Sequence, residues 1–236
     1  MKNIIIITVG AIIASIILAS GIKQVKQADY LTVNGSAFKV VESDIAKWTI
    51  VLNQTVGSSD LKAGSEAISK DQKIIQDYMK ASGITENEIT IQPLAVQPQY
   101  SYQAPIGASP LSGYILSQSI VVESKNVDSV TKASQNATSL ISKGSSFSSQ
   151  PVEYYYSKLA EIKPELLNEA AKDAKARADS LASATSARVG ELKSASQGVI
   201  QITAENSTDS SDYGYYDTQS KKKKVTAVIK ANFELK

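Results

Sequence analysis

The chain has 236 residues, with 25 Lys and Arg against 23 Asp and Glu for a net charge of +2, and it contains neither histidine nor cysteine. The near balance of charge supplies no field for holding nucleic acid. The missing residues remove the commonest general base, the usual transition-metal ligands and any disulfide, so packing alone must hold one large domain or two small lobes.

Lys2 and Asn3 lead into Ile4–Ile22, a run without a charge, which ends at Lys23. Two readings of residues 1–22 stand side by side. As a signal peptide, Ala19-Ser20-Gly21 offers the small side chains that a signal peptidase inspects, with cleavage after Gly21. As a retained signal-anchor transmembrane helix, the run is long enough to cross roughly 30 Å of hydrocarbon at about 1.5 Å per residue. Lys2 on one side and Lys23 and Lys26 on the other do not choose an orientation. A buried core helix fits poorly, because Ile4–Ile7 and Ile16–Leu18 leave no polar face. Either membrane reading exports the rest of the chain.

Residues 23–30 read as a tether, and an α+β domain is expected over 31–236, with lobes at roughly 31–142 and 143–236. Leu31–Val41 predicts a strand with a bulge or kink at Asn34-Gly35. Ala46, Trp48, Ile50 and Leu52 alternate with Lys47, Thr49 and Asn53 as a second strand, paired with the first in a hairpin around Glu42-Ser43-Asp44. A helix follows, capped by Ser59 or Asp60 and stopped at Gly83, with Ala67, Ile68, Ile75, Tyr78 and Met79 on one stripe. Ile89–Val96 is a strand that Pro93 and Pro98 confine to an edge or a bulge.

Tyr100–Pro110 reads as a loop, and Tyr114, Leu116, Ile120 and Val122 mark the next strand. A second helix is expected over Val127–Ser142. After the Ser-rich stretch Ser142–Ser149 comes a β-prone run, Val152–Tyr156, and then a helix with Pro164 at its first position. Leu167, Ala170, Ala171, Ala174, Ala178, Leu181 and Ala182 form its inner stripe, and such small residues imply close approach to a sheet. Its outer face pairs Asp173 with Arg177 and Lys175 with Asp179. Leu192–Ala204 and Val225–Leu235 are the last strands, separated by a flexible polar loop over 205–224. The sum is an α+β fold of mainly antiparallel sheets and about three packed amphipathic helices after the N-terminal hydrophobic helix.

Several blocks in succession resemble one family. They are Val33-Asn-Gly-Ser-Ala-Phe-Lys-Val-Val-Glu-Ser-Asp44-Ile-Ala-Lys-Trp-Thr-Ile50, Gly83-Ile84 with Glu88-Ile-Thr90, Gly113-Tyr-Ile-Leu-Ser-Gln-Ser-Ile120, and Glu169-Ala-Ala-Lys-Asp173-Ala-Lys-Ala-Arg177-Ala-Asp-Ser-Leu181-Ala. In order and spacing they resemble the SIMPL domain family over nearly all of Leu31–Lys236. Ser43 departs from the family, which often places a proline before the aspartate, and so does the Tyr-rich and Lys-rich insertion before the last strand; both bear on loop conformation. The resemblance implies a bacterial envelope protein, in the periplasm or anchored in the inner membrane through residues 4–22 if the leader is kept, with no established enzymatic activity and no cofactor. Relatives include a periplasmic immunogenic protein that assembles into a large ring-like oligomer and proteins linked to oxidative-stress defence. The implied partners are therefore further copies of the chain and other envelope components, without nucleic acid. The family offers no catalytic residues to carry over.

The residues themselves leave a second class open, a hydrolase or transferase with a Ser-Lys or carboxylate site between the lobes. Ser59 with Lys62, and Ser129 with Lys132, match the Ser-x-x-Lys spacing of some acyl enzymes, on helix faces where Ser and Lys are common anyway. Asp209, Asp212 and Asp217 are oxygen donors for a hard cation, without the alternating ligands and central glycine of a calcium loop. Lys221–Lys224 suits an anionic lipid surface or, more simply, a solvated loop entering a strand. Tyr154–Tyr156 and Tyr213–Tyr216 suit an oligomer interface or reflect plain β propensity. Asn-x-Ser/Thr triplets begin at Asn34, Asn53, Asn136 and Asn206, as chance allows in a chain rich in Ser and Thr. No residue is assigned as catalytic, cofactor-binding or metal-binding.

Overall fold

The computed structural model describes residue 15, residues 30–101 and residues 110–236. Apart from residue 15, the expected leader over 1–22 and the tether as far as residue 29 lie outside the described residues, as does 102–109 of the expected loop. No helix among the described residues is long and apolar enough to cross a membrane. The architecture is α+β with antiparallel sheets, as the alternating patterns predict.

By contacts the described chain forms two compact units that are discontinuous in sequence, where the expected lobes divided it once near residue 142. One takes the chain up to Ala37 with Pro164–Val199 and Ala227–Lys236; the other takes Phe38–Lys163 and Ile200–Thr226.

The larger unit is built on a six-stranded sheet. Its strands are β2 (Ile45–Gly57), β3 (Ile89–Ile91), β4 (Ala95–Tyr100), β5 (Leu111–Ser124), β6 (Ser148–Ser149) and β7 (Glu153–Tyr155). The order is β3-β5-β2-β6, with β4 also on β5 and β7 also on β2. β2 and β5 run antiparallel without a break in register, from Ala46 opposite Ser124 to Gly57 opposite Gly113. Alternation then puts Ala46, Trp48, Ile50 and Leu52 on the same face as Leu116, Ile120 and Val122, and all seven are fully buried. Trp48 keeps its one polar atom satisfied by donating Nε1–H to Ser149 Oγ at 2.9 Å.

Helices α1 (Leu61–Ala81), α2 (Val127–Asn136) and the single turn α3 (Ser139–Ser142) complete this core, with Ile68, Ile75, Met79, Val130, Ala133 and Leu140 in one cluster with the sheet residues. α1 starts after Asp60 and is followed by Gly83 at φ +80°, a conformation that glycine adopts without penalty. The expected helix Val127–Ser142 is interrupted instead at Ala137-Thr138. Both Ala137 and Leu140 are buried, so the chain trades one helical turn for placing two apolar side chains inward. The Pro-interrupted strand is likewise two short strands, β3 and β4, both on β5 at one side of the sheet.

Entry to β3 is set by a short 3-10 turn, Glu86–Glu88, with a reciprocal capping box between Thr85 and Glu88. The Glu88 carboxylate accepts from Thr85 N at 2.8 Å, Thr85 Oγ1 at 2.7 Å and Ser124 Oγ at 2.5 Å. The Ser124 hydroxyl, then Thr85, hold this carboxyl below its ordinary range. Glu88→Ala is expected to lower stability by about 1 kcal/mol, measured by urea unfolding; an unchanged midpoint would show the turn to be held by β3 alone.

The four-stranded sheet contains β1 (Tyr30–Glu42), β8 (Val189–Gln197), β9 (Gln201–Ala204) and β10 (Lys222–Leu235), in the order β1-β10-β8 with β9 also on β10. β1 and β2 therefore do not form the expected hairpin. The link between them is fastened elsewhere: Ser43 N donates to Lys221 O and Asp44 N to Tyr155 O, both at 2.9 Å. The Asp44 carboxylate accepts from Ser157 N at 2.8 Å and Ser157 Oγ at 2.7 Å. With its amides committed to Lys221, just before β10, and to Tyr155 of β7, the link has none left for a tight turn. The single strand expected over Leu192–Ala204 is also two, β8 and β9, which separate around Gly198, whose N–H reaches Val228 O at 2.9 Å, and both pair with β10.

In the smaller unit, Val33, Ala174, Ala178, Ala231 and Phe233 form the core. Helix α4 (Leu159–Ala184) supplies the alanines and begins five residues before Pro164, so the proline sits inside the helix and not at its start. The earlier turn persists because Ile162 and Leu166 are buried on either side of it. Its buried line is Leu166, Ala170, Ala174, Ala178 and Ala182, one residue in four; Leu181 and Ala171, expected on that stripe, face outward. The outer pairs form as the spacing predicts, Arg177 Nε on Asp173 at 2.7 Å and Lys175 on Asp179.

Candidate interaction site

The lysine run is not a solvated loop. Period-two alternation in β10 continues backward from Phe233 and Ala231 through Ala227 and Val225 to Lys223, which is wholly buried. Its ammonium donates to Asp217 O and stands 3.7 Å from Asp217 Oδ2. Asp217 is itself buried and accepts from Gln219 N at 2.9 Å and Ser220 N at 3.2 Å. Burial pushes this carboxyl up, but the Gln219 and Ser220 groups and the Lys223 charge outweigh it and hold it below the usual range. Burial lowers the Lys223 ammonium, and Asp217 opposes the shift. The other three lysines act separately: Lys221 pairs with Asp128 at 2.8 Å, Lys224 donates to Ser207 O at 2.8 Å, and Lys222 is exposed.

This pair fastens the segment before β10. Asp217 N donates to Ile202 O at 2.8 Å and Ile202 N to Tyr215 O at 2.7 Å, so Tyr216 bridges to the outer side of β9. Tyr154 N reaches Thr218 O at 2.7 Å. The two tyrosine clusters meet here, with the rings of Tyr155 and Tyr216 6.1 Å apart and tilted by 38°. Burial, then the nearby Glu153 carboxylate, raise the Tyr155 hydroxyl above its usual value. Tyr154 turns inward, its hydroxyl 3.1 Å from Thr131 Oγ1, with Lys221 Nζ 5.8 Å from its ring centre. Tyr213 is the opposite, 97% exposed.

The remaining sequence candidates stay apart. Ser59 Oγ donates to Asp60 at 3.0 Å, while Lys62 stands 3.9 Å from Glu66. Ser129 offers its backbone N–H to Asn126 Oδ1 at 3.1 Å, and Lys132 is exposed. Neither serine is hydrogen-bonded to its lysine among the described residues. Asp209 accepts from Ser207 Oγ at 2.8 Å and Asp212 is exposed, so the three aspartates do not converge. Among the described residues no three acidic side chains come together in a way that would hold a metal ion. Asn53, Asn136 and Asn206 are exposed, and Asn34 lies on β1 beside Arg177 and Leu181.

Surfaces suited to association are found in the smaller unit. β8 is nine residues long, pairs with β10 on one side, and is exposed over Glu191–Gln197, with Leu192 54% exposed. Tyr30 on β1 is also largely exposed. A long strand at a sheet edge offers unpaired amides and carbonyls to another strand. Sequence reading missed this because Val189–Gln197 looks like any half-buried strand until its neighbours are known.

No curated protein gives a match to the chain. A family profile, SIMPL, described as a protein of unknown function (DUF541), matches residues 31–233, and the chain belongs to that family.

Proposed function

We propose that the protein is a non-enzymatic component of the bacterial envelope, exported or anchored by Ile4–Ile22, that works by self-assembly or by binding other envelope components, including in tolerance of envelope or oxidative stress. The observation that carries the reading is the exposed edge strand β8, which among the described residues has a strand on one side only and so offers backbone groups that a further strand can join. The apolar run at the N-terminus and the family membership support the compartment.

Size-exclusion chromatography with light scattering on the full chain in detergent, and on the chain without residues 1–22, tests it. Both are expected to exceed the monomer mass at micromolar concentration. Leu192→Asp, an exposed substitution that leaves the core alone, is expected to shift the distribution toward monomer by about tenfold in dissociation constant. A strict monomer in both preparations would sink the proposal.

A further inference from the structure

At the N-terminus of α2 the larger unit carries an open groove of about 750 Å3 with a distinct chemistry. Its wall includes Lys125, Lys221 and Lys222 against Glu42 and Asp128, and the helix start at Asn126 and Val127. Asp128 already neutralises Lys221 at 2.8 Å, whereas Lys125 and Lys222 form no ion pair among the described residues. The helix is ten residues long, and its N-cap Asn126 takes the amide of Ser129 through its side chain and that of Val130 through its carbonyl. Among the described residues the amides of Val127 and Asp128 have no protein acceptor, at the positive end of the helix dipole. Ser43 is a second and independent mark: it forms part of the same wall, is 8% exposed, and its hydroxyl is buried without a hydrogen-bond partner. An unsatisfied buried hydroxyl beside a lined groove is a cost that a polar ligand would relieve.

We infer that this groove binds a single phosphate group, held by the Lys125 and Lys222 ammoniums and the first-turn amides of α2, with the Ser43 hydroxyl turning to it. Three ammoniums against two carboxylates suit one phosphate and repel a polyanion that must pass Glu42 and Asp128. The same chemistry belongs to a soluble phosphoester and to a phospholipid headgroup.

The full chain in detergent micelles, titrated with inorganic phosphate and followed by amide NMR, tests the site. Saturable shifts of the Val127 and Asp128 amides are expected, absent with chloride at equal ionic strength. The Lys125→Gln/Lys222→Gln variant should bind about tenfold more weakly. Asp128→Asn, which frees Lys221, should bind more tightly, a gain that a purely structural role for these residues does not give. A parallel sedimentation with phosphatidylglycerol and phosphatidylcholine vesicles uses the chain without residues 1–22. If that species shows the same phosphate shifts, lysine-dependent sedimentation with the anionic vesicles assigns the source to a headgroup, and its absence assigns it to a soluble phosphoester. No saturable amide shift with phosphate, or a shift equal in the double lysine variant, would overturn the inference.

Discussion

Gly35→Ala is expected to destabilise the smaller unit by about 3 kcal/mol or more, a large loss for the addition of one methyl group. A Cβ at this position would lie 2.2 Å from Ala170 O, 2.3 Å from Ala174 N and 2.6 Å from Ala174 Cβ. Two of these atoms belong to the helix backbone and cannot turn aside as a flexible side chain does. The amide of the next residue, Ser36, donates to Asp173 Oδ2 at 2.8 Å, which ties the strand to the helix at the same height. Relief by sliding would therefore break a second contact. Adding Ala174→Gly removes only the Cβ contact and is expected to restore little. Urea unfolding of the two variants beside the wild type decides the matter: a Gly35→Ala protein within about 0.5 kcal/mol of wild type would show that strand and helix can part freely.

Lys223→Ala is expected to cost about 3–5 kcal/mol, because it leaves the Asp217 carboxylate buried without its cation and opens a cavity. Lys223→Met with Asp217→Asn should recover much of that loss, since the space stays filled and no charge remains inside. The pH dependence has a definite sign for each partner. Asp217 lies below its ordinary 3.8 in the fold, so its contribution is complete above that value and fades as the pH falls through the lower folded value. Lys223 lies below its ordinary 10.5, so the unfolded chain holds that proton more tightly. The wild type should then gain stability as the pH rises from the folded value toward 10.5, and Lys223→Met should lack the gain. Stability curves against pH for the two proteins test this; parallel alkaline limbs would show that Lys223 keeps an ordinary affinity for its proton.

Both residues show how far local pattern carries. Asn34-Gly35 suggests a bulge or kink when only the strand is in view, yet β1 runs through it without a break, and the need for glycine comes from a helix well over a hundred residues later. Lys221–Lys224 suggests solvent because four charges stand together. Alternation in β10 marks Lys223 as inward-facing, but its burial depends on Asp217, whose loop shows no periodicity at all. The candidate Ser-x-x-Lys pairs are legible as spacing and empty as geometry, because each member bonds to a different neighbour or to none.

What the sequence by itself determined is the set of elements and their inner faces: the period-two core of β2, β5 and β10, the apolar stripe of α1, the small-residue line of α4 and the family. These follow from steric and hydrophobic preferences that act within a few residues. Only the tertiary structure decided which strands pair. β1 joins β10 and not β2, Pro164 falls within a helix, and the groove beside α2 gathers Ser43, Lys125 and Lys222 from distant stretches of chain. Pairing of that kind is set by which backbone amides are left to satisfy once the cores have closed, and that is a condition on the whole fold and not on any window of sequence.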